Sequence, residues 1–538
     1  MSDDKIKKLF NKIDDMRSNR MTFERPWQDI RELVRPNTTD FTGGPTPGQV
    51  RTTRIYDGTA VDACNELAAG LCAYLVNPSE RWFTIGVTGY EEVDYDEDAL
   101  AWLEIVSEAI YACYAHETSG FNSCMHESML DIGAFGTSCP YQEWSPEKNA
   151  VIFRSCSMSG IYFDEDSGGQ VDSVNYLRKW KVRQLRQQFA VLPPKISEEK
   201  NENKELHIHH LVCPRTDRDI TKADTRNKKF ASFWLCEETK ELILESGYDT
   251  LPYHGGRWMK LADEVYGVGP AKDCLPDIKM LNNMEKTIIK YAQKLTDPPL
   301  QVPDEGFMLP IDTSPGSLIF KEGNSPLIEP LYPQGQVPWS LELAEQKRNK
   351  IRKTFLSDWL KMEKENKEMT AYEVADRRNE KLQLIAPNMG RIQKEQLNQM
   401  IQRTYMLLKE KGRIPNAPPS LQRGKRLMVT YISPAARAQL AIKANEIGRY
   451  LSEITPLIQV YPGIVDKVDF DKLAAKLAEF RSMTRTVLRT DAEVAKIRAD
   501  RQQQQQMQQM AEVAEPLTKS MKNVADAQDK GLNLTGML

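Results

Sequence analysis

Residues 266–299 read YGVGPAKDCLPDIKMLNNMEKTIIKYAQKLTDPP, and the organisation of the chain is decided here. Asp277–Leu295 has the periodicity of a helix, closed by Asp297-Pro298-Pro299 because proline removes a backbone donor and restrains the residue before it. A proline- and glycine-rich stretch of strands and turns follows to about Trp339. A second, charged helix is predicted over Ser340–Leu360. The Lys- and Glu-rich segment Lys361–Glu368 then leads to Thr370-Ala371-Tyr372-Glu373, a capping box that starts a long helix. That helix runs through Leu384, is interrupted near Pro387–Gly390 and resumes through Lys411.

Working outward, residues 1–35 read as helix, with Ile6, Leu9, Phe10, Ile13 and Met16 at three- and four-residue spacing and Trp27, Ile30, Leu33 and Val34 continuing after Pro26. Pro36–Arg54 is a loop, Asp57 to about Val76 a helix and Arg81–Val87 a strand. Glu91–Asp98 is an acidic run, either solvated or facing a lumen or partner. Residues 99–135 are predicted helical. Short strands follow at Ala150–Phe153, Gly160–Asp164, Val171–Val182, Leu206–Cys213, Ala231–Cys236 and Glu241–Leu244, giving a mainly α chain with an α+β part. Residues 434–510 are mainly helical apart from a turn at Tyr461-Pro462-Gly463. Gln502–Gln506 lies in a glutamine-rich end that is either a disordered tail or a helix ordered by neighbours, and the last dozen residues read as frayed. No internal repeat is present, and 538 residues suggest about three folding units.

Composition narrows the function. Hydrophobic residues make up 40% and charged residues 28%, as in ordinary globular proteins. No run approaches the ~20 apolar residues of a membrane span, and the charged amphipathic start lacks a signal-peptide core, so the chain is expected to stay where it is made. Nine scattered cysteines without CxxC read as reduced, mostly buried thiols. A net charge of -4 argues against a tight DNA binder, because neutralising phosphates demands a basic excess. It does not argue against a conduit, where adhesion to DNA would be a defect.

Chemistry-bearing motifs are sparse. No GxxxxGK[ST] occurs, so the chain is not by itself an NTP-driven motor. Gly267-Val268-Gly269-Pro270 superficially resembles a phosphate loop, but Pro270 has no N–H to offer. His207 and His209 share a strand face, yet no carboxylate sits at a matching offset, and a polar strand face is the better account than a metal site for His207, His209 and His210. Nothing marks a cysteine as activated toward His116, His126 or His254. Neither a cofactor, a metal nor an enzymatic activity is therefore expected. A basic stretch, Lys347, Arg348, Lys350, Arg352 and Lys353, lies on the second charged helix. It precedes Lys361, Lys364 and Lys367, which interleave with Glu363, Glu365 and Glu368.

In their order, Trp27-Gln28-Asp29-Ile30, Arg54-Ile55-Tyr56-Asp57-Gly58-Thr59-Ala60, Leu67-Ala68-Ala69-Gly70-Leu71, Asn77-Pro78 and Arg81-Trp82-Phe83 form a specific set. They are completed by Tyr266–Ala271, Leu275–Lys279, Met369-Thr370-Ala371-Tyr372-Glu373-Val374 and Asp491–Arg501. As a set they resemble the portal (head-to-tail connector) family of short-tailed, podovirus-type bacteriophages, over nearly the whole chain. The resemblance implies a wing at 1–276, a first stem helix at 277–295, a clip at 296–339, a second stem helix at 340–359, a tunnel loop at 360–370, the long wing helix at 371–434 and a crown at 435–538. It implies a ring of about twelve copies at one capsid vertex, assembled in the host cytoplasm. Double-stranded DNA would be packaged and ejected through it. Implied partners are the packaging ATPase (terminase), the major capsid and scaffolding proteins and tail adaptor proteins, with no membrane. On that plan Lys361, Lys364 and Lys367 would touch DNA from the tunnel loop, and Lys347, Lys350 and Lys353 from the stem. A head–tail adaptor or internal virion structural protein is the alternative. A hydrolase or a DNA-binding regulator would need a clustered site or a basic balance that is not seen.

Overall fold

The computed structural model describes residues 3–42, 48, 50–78, 81–87, 97–219, 221–222, 224–301, 329–330, 338–357, 385–421, 427–431, 444–456, 468–480 and 493–507. Two compact units are present rather than three. One comprises Met1–Thr84, Val106–Pro415 and Val429–Ser433, the other Ile85–Ile105, Asn416–Met428 and Pro434–Leu538. The helices of the chain's start and the central strands share one core, which removes the third unit.

Helix α1 (Asp3–Leu33) is followed by α2 (Thr59–Leu75), β1 (Phe83–Val87), α3 (Glu97–Ala115), α4 (Phe121–Phe135) and β2 (Thr137–Ser138). Next come β3 (Pro140–Ser145), β4 (Ala150–Ser155), β5 (Ile161–Glu165), β6 (Val171–Lys181), α5 (Val182–Gln188) and α6 (Pro194–Ser197). Strands β7 (Glu205–Pro214), β8 (Phe230–Cys236), β9 (Leu242–Tyr248) and β10 (Gly256–Arg257) precede α7 (Pro270–Thr296). Strands β5 to β9 form one antiparallel sheet in sequence order.

That sheet is covered on both faces, and the period-2 alternation of strands assigns the residues. Leu211 and Cys213 of β7 and Phe233 and Leu235 of β8 pack with Phe10, Ile13 and Met16 of α1. Leu206, Ile208, Trp234 and Cys236, one residue out of step, pack with Val182, Leu185, Phe189 and Ile196 around α5 and α6. Arg20 pins α1 down. Its Nη1 donates to the carbonyls of Met158, Ser159 and Ile161 at 3.1, 2.9 and 2.8 Å, and its Nη2 to Glu24 at 2.7 Å. The helix runs on through Pro26 to seat Trp27 and Ile30 in the core.

Several expectations change. The predicted helix over 99–135 is two helices, because Gly120 sits at φ 68° and ends the intervening turn. Strand β3 was not read from the sequence; it pairs with β4 from Pro140↔Ser155 to Ser145↔Ala150. His209 and His210 are not on a polar face: both are buried, His210 stacked 3.9 Å from the Trp234 ring with its Nε2 2.9 Å from Ser232. Burial pushes His209 down to about 4 and holds His210 neutral. Residues 385–392 are helical straight through Pro387 and Gly390. The irregularity comes later, as a π-turn at Gln393–Leu397 before α9 (Asn398–Glu410), with α8 (Pro338–Thr354) preceding both.

The π-turn has a partner that explains it. Widening the helix by one residue sets Glu395 and Gln396 against β10, which pairs with β2. Arg257, which is buried, donates from Nε and Nη2 to Glu395 at 2.9 and 3.0 Å, to the Gly169 carbonyl at 2.9 Å, and to Glu165. Gln396 donates to Ser128 at 2.8 Å.

In the second unit the described residues beyond 434 are mainly helical, at 444–456, at α10 (Phe470–Phe480) and at 493–507. The glutamines at 502–506 lie on the last of these, exposed, and Arg498 makes a two-pronged pair with Asp471 at 2.7 and 2.8 Å. The capping box at 370–373 and the turn at 461–463 lie outside the described residues.

A Cβ on Gly136, at φ 73°, would collide with the backbone of Val268 and Gly269. Gly136→Ala is therefore expected to cost at least about 2 kcal/mol, seen as a lower urea midpoint or loss of soluble protein. Gly58→Ala, with open space around it, should leave the midpoint within about 0.5 kcal/mol of wild type.

Candidate nucleic-acid interface

The YGVGP signature serves packing. Tyr266 is buried, its hydroxyl accepts from the Phe163 N–H at 3.0 Å, and its ring meets Trp27 edge-on at 5.2 Å. The Gly267 N–H donates to Thr137 Oγ1 at 2.8 Å, and the Val268 N–H to the Met259 carbonyl at 2.7 Å. Gly269 lies so close to α4 that a Cβ there would sit 2.7 Å from both the Gly136 nitrogen and the Ile132 carbonyl oxygen. Helix α7 therefore starts at Pro270, seven residues before the sequence reading placed it. Proline is suited to that first turn, where its missing N–H has no intrahelical role. It then runs through Pro276.

Helices α7 and α8 form an antiparallel hairpin whose base is held by charge. Lys347 and Lys350 both reach Asp277, at 2.7 and 2.6 Å, and their hydrogen bonds hold that carboxyl below its ordinary pKa. Arg348 is forked between Asp57 at 2.9 Å, Glu345 at 3.1 Å and Glu285. Burial opposes the charge on Asp57, but the hydrogen bonds from Thr59 and Arg348 outweigh it and keep its pKa low. Asn282 accepts from the Tyr56 N–H at 2.7 Å and donates to the Arg54 carbonyl at 2.9 Å. Lys279 pairs with Asp29 of α1 at 2.5 Å. Ala344, Ile351 and Phe355 of the second arm are buried. The predicted helix to Leu360 stops earlier, at Thr354, since Leu356 turns to φ 58°.

Toward the far end the hairpin changes character. Lys290 and Lys294, one turn apart, are exposed, and among the described residues neither has a carboxylate partner. Ile289, Leu295 and Leu341 are 40–52% exposed beside them. Sequence reasoning missed these two lysines, although a Lys286-Lys290-Lys294 spacing without acids between is a legible helical stripe. Of the six lysines singled out from sequence, Lys347 is 22% exposed and engaged with Asp277, Lys350 is 61% exposed while reaching the same carboxylate, and Lys353 is exposed. Lys361, Lys364 and Lys367 lie outside the described residues, as does most of 296–339, of which the pair β11 (Leu300–Gln301) and β12 (Glu329–Pro330) is described.

The other candidates dissolve into structure. His207 is exposed with Nδ1 2.7 Å from Glu238, and among the described residues no cluster of three His, Cys, Asp or Glu could hold a metal ion. Burial pushes Cys64, Cys72 and Cys274 up to about 12 and Cys113 to about 11, which suppresses the nucleophilic thiolate. His254 is buried and pushed down to about 3.

The family described as bacteriophage head to tail connecting protein matches residues 4–488. The chain belongs to that family. A probable portal protein of Bordetella phage BPP-1 is 27% identical over 517 residues, covering 92% of this chain and 91% of the relative. A portal protein of Salmonella phage epsilon15 is 24% identical, covering 93% and 92%. The head-to-tail connecting protein is thus a structural component of the virion at the junction of head and tail, and not an enzyme. Its motif residues acquire reasons: Trp27, Asp29, Tyr56, Asp57, Gly267 and Gly269 all bear on where α7 starts and how α8 is fastened to it.

Removing the guanidinium of Arg348 strands two largely buried carboxylates, so Arg348→Ala should lower stability by about 2–4 kcal/mol in chemical denaturation. Lys350→Ala, at a mainly exposed pair, should cost under about 1 kcal/mol. Equal effects of the two would refute the account of the hairpin base.

Proposed function

We propose that this connector is a portal subunit. Copies close into a ring of about twelve at one capsid vertex, and double-stranded DNA passes through the ring during packaging and ejection. One observation carries the reading beyond family membership: a hairpin fastened at its base by ion pairs bears, farther along, exposed apolar residues and lysines that meet no carboxylate among the described residues. A lone chain has no use for Ile289, Leu295 and Leu341 in water, whereas heterologous, head-to-tail contacts between copies bury such faces. The lysines supply weak phosphate contacts that multiply with copy number without gripping DNA.

In this reading the hairpin is the stem, 296–339 the clip, and 360–370 a loop lining the tunnel. The clip docks the packaging ATPase (terminase) and later the tail adaptor proteins. The sequence carries no phosphate-binding loop of its own, so energy would come from that separate motor. Major capsid and scaffolding proteins receive the outer body during assembly in the host cytoplasm. We assign DNA contact to Lys361, Lys364 and Lys367, with Lys350 and Lys353 of α8 and Lys290 and Lys294 of α7 as secondary contacts. Lys347 mainly fastens the stem.

Native mass spectrometry with end-on negative-stain averages tests the ring. A particle of about twelve times the 61.5 kDa chain with a central hole is the expected outcome, and a stable monomer or dimer at all concentrations would sink the proposal. Separately, Lys361→Glu, Lys364→Glu and Lys367→Glu together should leave ring assembly intact and reduce retention of packaged DNA. Wild-type packaging and retention would remove the tunnel-loop assignment.

A further inference from the structure

A groove of about 1060 Å³ lies between α1 and strands β4 to β6. Its cations fall into two groups. Arg17 and Arg20 are engaged, with Glu237 at 3.1 Å and Glu24 at 2.7 Å. Arg154 and Arg178 are not: among the described residues neither meets a carboxylate, and the Nε of Arg178 is buried with no acceptor. The Arg178 guanidinium lies 4.3 Å from the ring centre of Tyr176 and 5.7 Å from that of Trp180. A hollow of about 590 Å³ is also lined by Arg154, Arg178 and Trp180. Guanidiniums lining a groove without carboxylate partners favour an acidic occupant.

The rest of the lining selects the kind of acid. Asp14 and Glu24 also face the groove, and Met21 is 72% exposed there. A nucleic-acid backbone would leave the apolar surface of Met21 and Trp180 uncovered. A peptide that combines carboxylates with aromatic and aliphatic side chains matches both the guanidiniums and that surface. This chain contains one: Tyr90-Glu91-Glu92-Val93-Asp94-Tyr95-Asp96-Glu97-Asp98 has six carboxylates in residues 91–98 and no cation.

We propose that the groove around Arg154 and Arg178 docks the acidic run Glu91–Asp98 of a second copy of this chain. The proposal rests on the ring reading, since it needs copies held side by side. Planar guanidinium forks donate to carboxylates two-pronged, which fixes register between neighbours as well as adding attraction. Such a contact orients copies head to tail, because groove and acidic run are different surfaces.

The test is a charge exchange in the full-length chain, read by native mass. Arg154→Glu with Lys179→Glu, two exposed positions that line the groove, should raise the concentration needed for ring assembly about tenfold, as should Glu92→Lys with Asp94→Lys. All four together should restore assembly, and each variant should unfold thermally like wild type. In wild-type rings a zero-length carbodiimide cross-link should join Lys179 to an acid of residues 91–98, and should be missing from the monomer fraction. Rings that form normally in either charge-reversed pair, or a combination that fails to rescue, overturn the docking. So does a groove variant that assembles normally but loses binding to duplex DNA, which would make phosphate the occupant. If wild-type protein never forms rings, the ring reading itself falls and the docking with it; rings without cross-link or rescue remove the docking alone.

Discussion

Everything in the larger unit is hung on one backbone-to-backbone contact, Gly136 against Val268 and Gly269. Three glycines at 136, 267 and 269 let the end of α4 and the approach to α7 touch without side chains between them. Positive φ at Gly136 turns the chain into β2, whose two residues pair with β10, so the strand and the helix start are set by the same corner. Tyr266, immediately before the contact, then falls into the aromatic cluster of Trp27, Phe23 and Phe163. Helices α1, α4 and α7 meet at a point where no larger residue fits, which is why a shift of one residue there would be felt throughout.

The charges obey a similar economy of position. Near the base of the hairpin the lysines and arginines find carboxylates, some of them largely buried, and those pairs lock the geometry. Farther along α7, Lys290 and Lys294 find none among the described residues. The sum of charge over 538 residues does not say which cations are already satisfied internally. The net charge of -4 carries no information about where unsatisfied cations stand.

Arg257 illustrates the opposite use of a charge. Buried among Glu165, Glu395 and the Gly169 carbonyl, with Lys260 also on Glu165 at 2.7 Å, it ties the sheet's end to a helix more than a hundred residues later. The helix accommodates this by a π-turn rather than by breaking at Pro387 or Gly390. Proline and glycine raise the local cost of a helix by amounts that tertiary contacts can exceed, whereas a buried arginine must be answered wherever its partners lie.

The order of elements was legible in the sequence: the long first helix, seven of the strands, the hairpin arms around a proline-rich module, and the reduced, mostly buried cysteines, all of which follow from local periodicity and residue type. Family resemblance was legible too, in fragments such as RIYDGTA and YGVGPA. What only the tertiary structure decided was how those fragments act on one another. Asp57 answers Arg348 across 291 positions, Asp29 answers Lys279 across 250, and Gly136 makes room for Gly269, and no spacing rule encodes such pairs. For the same reason the sequence favoured Lys347 and Lys350 as free cations and passed over Lys290 and Lys294. A lysine's availability depends on whether a carboxylate from another element reaches it, and that is settled when the chain has folded.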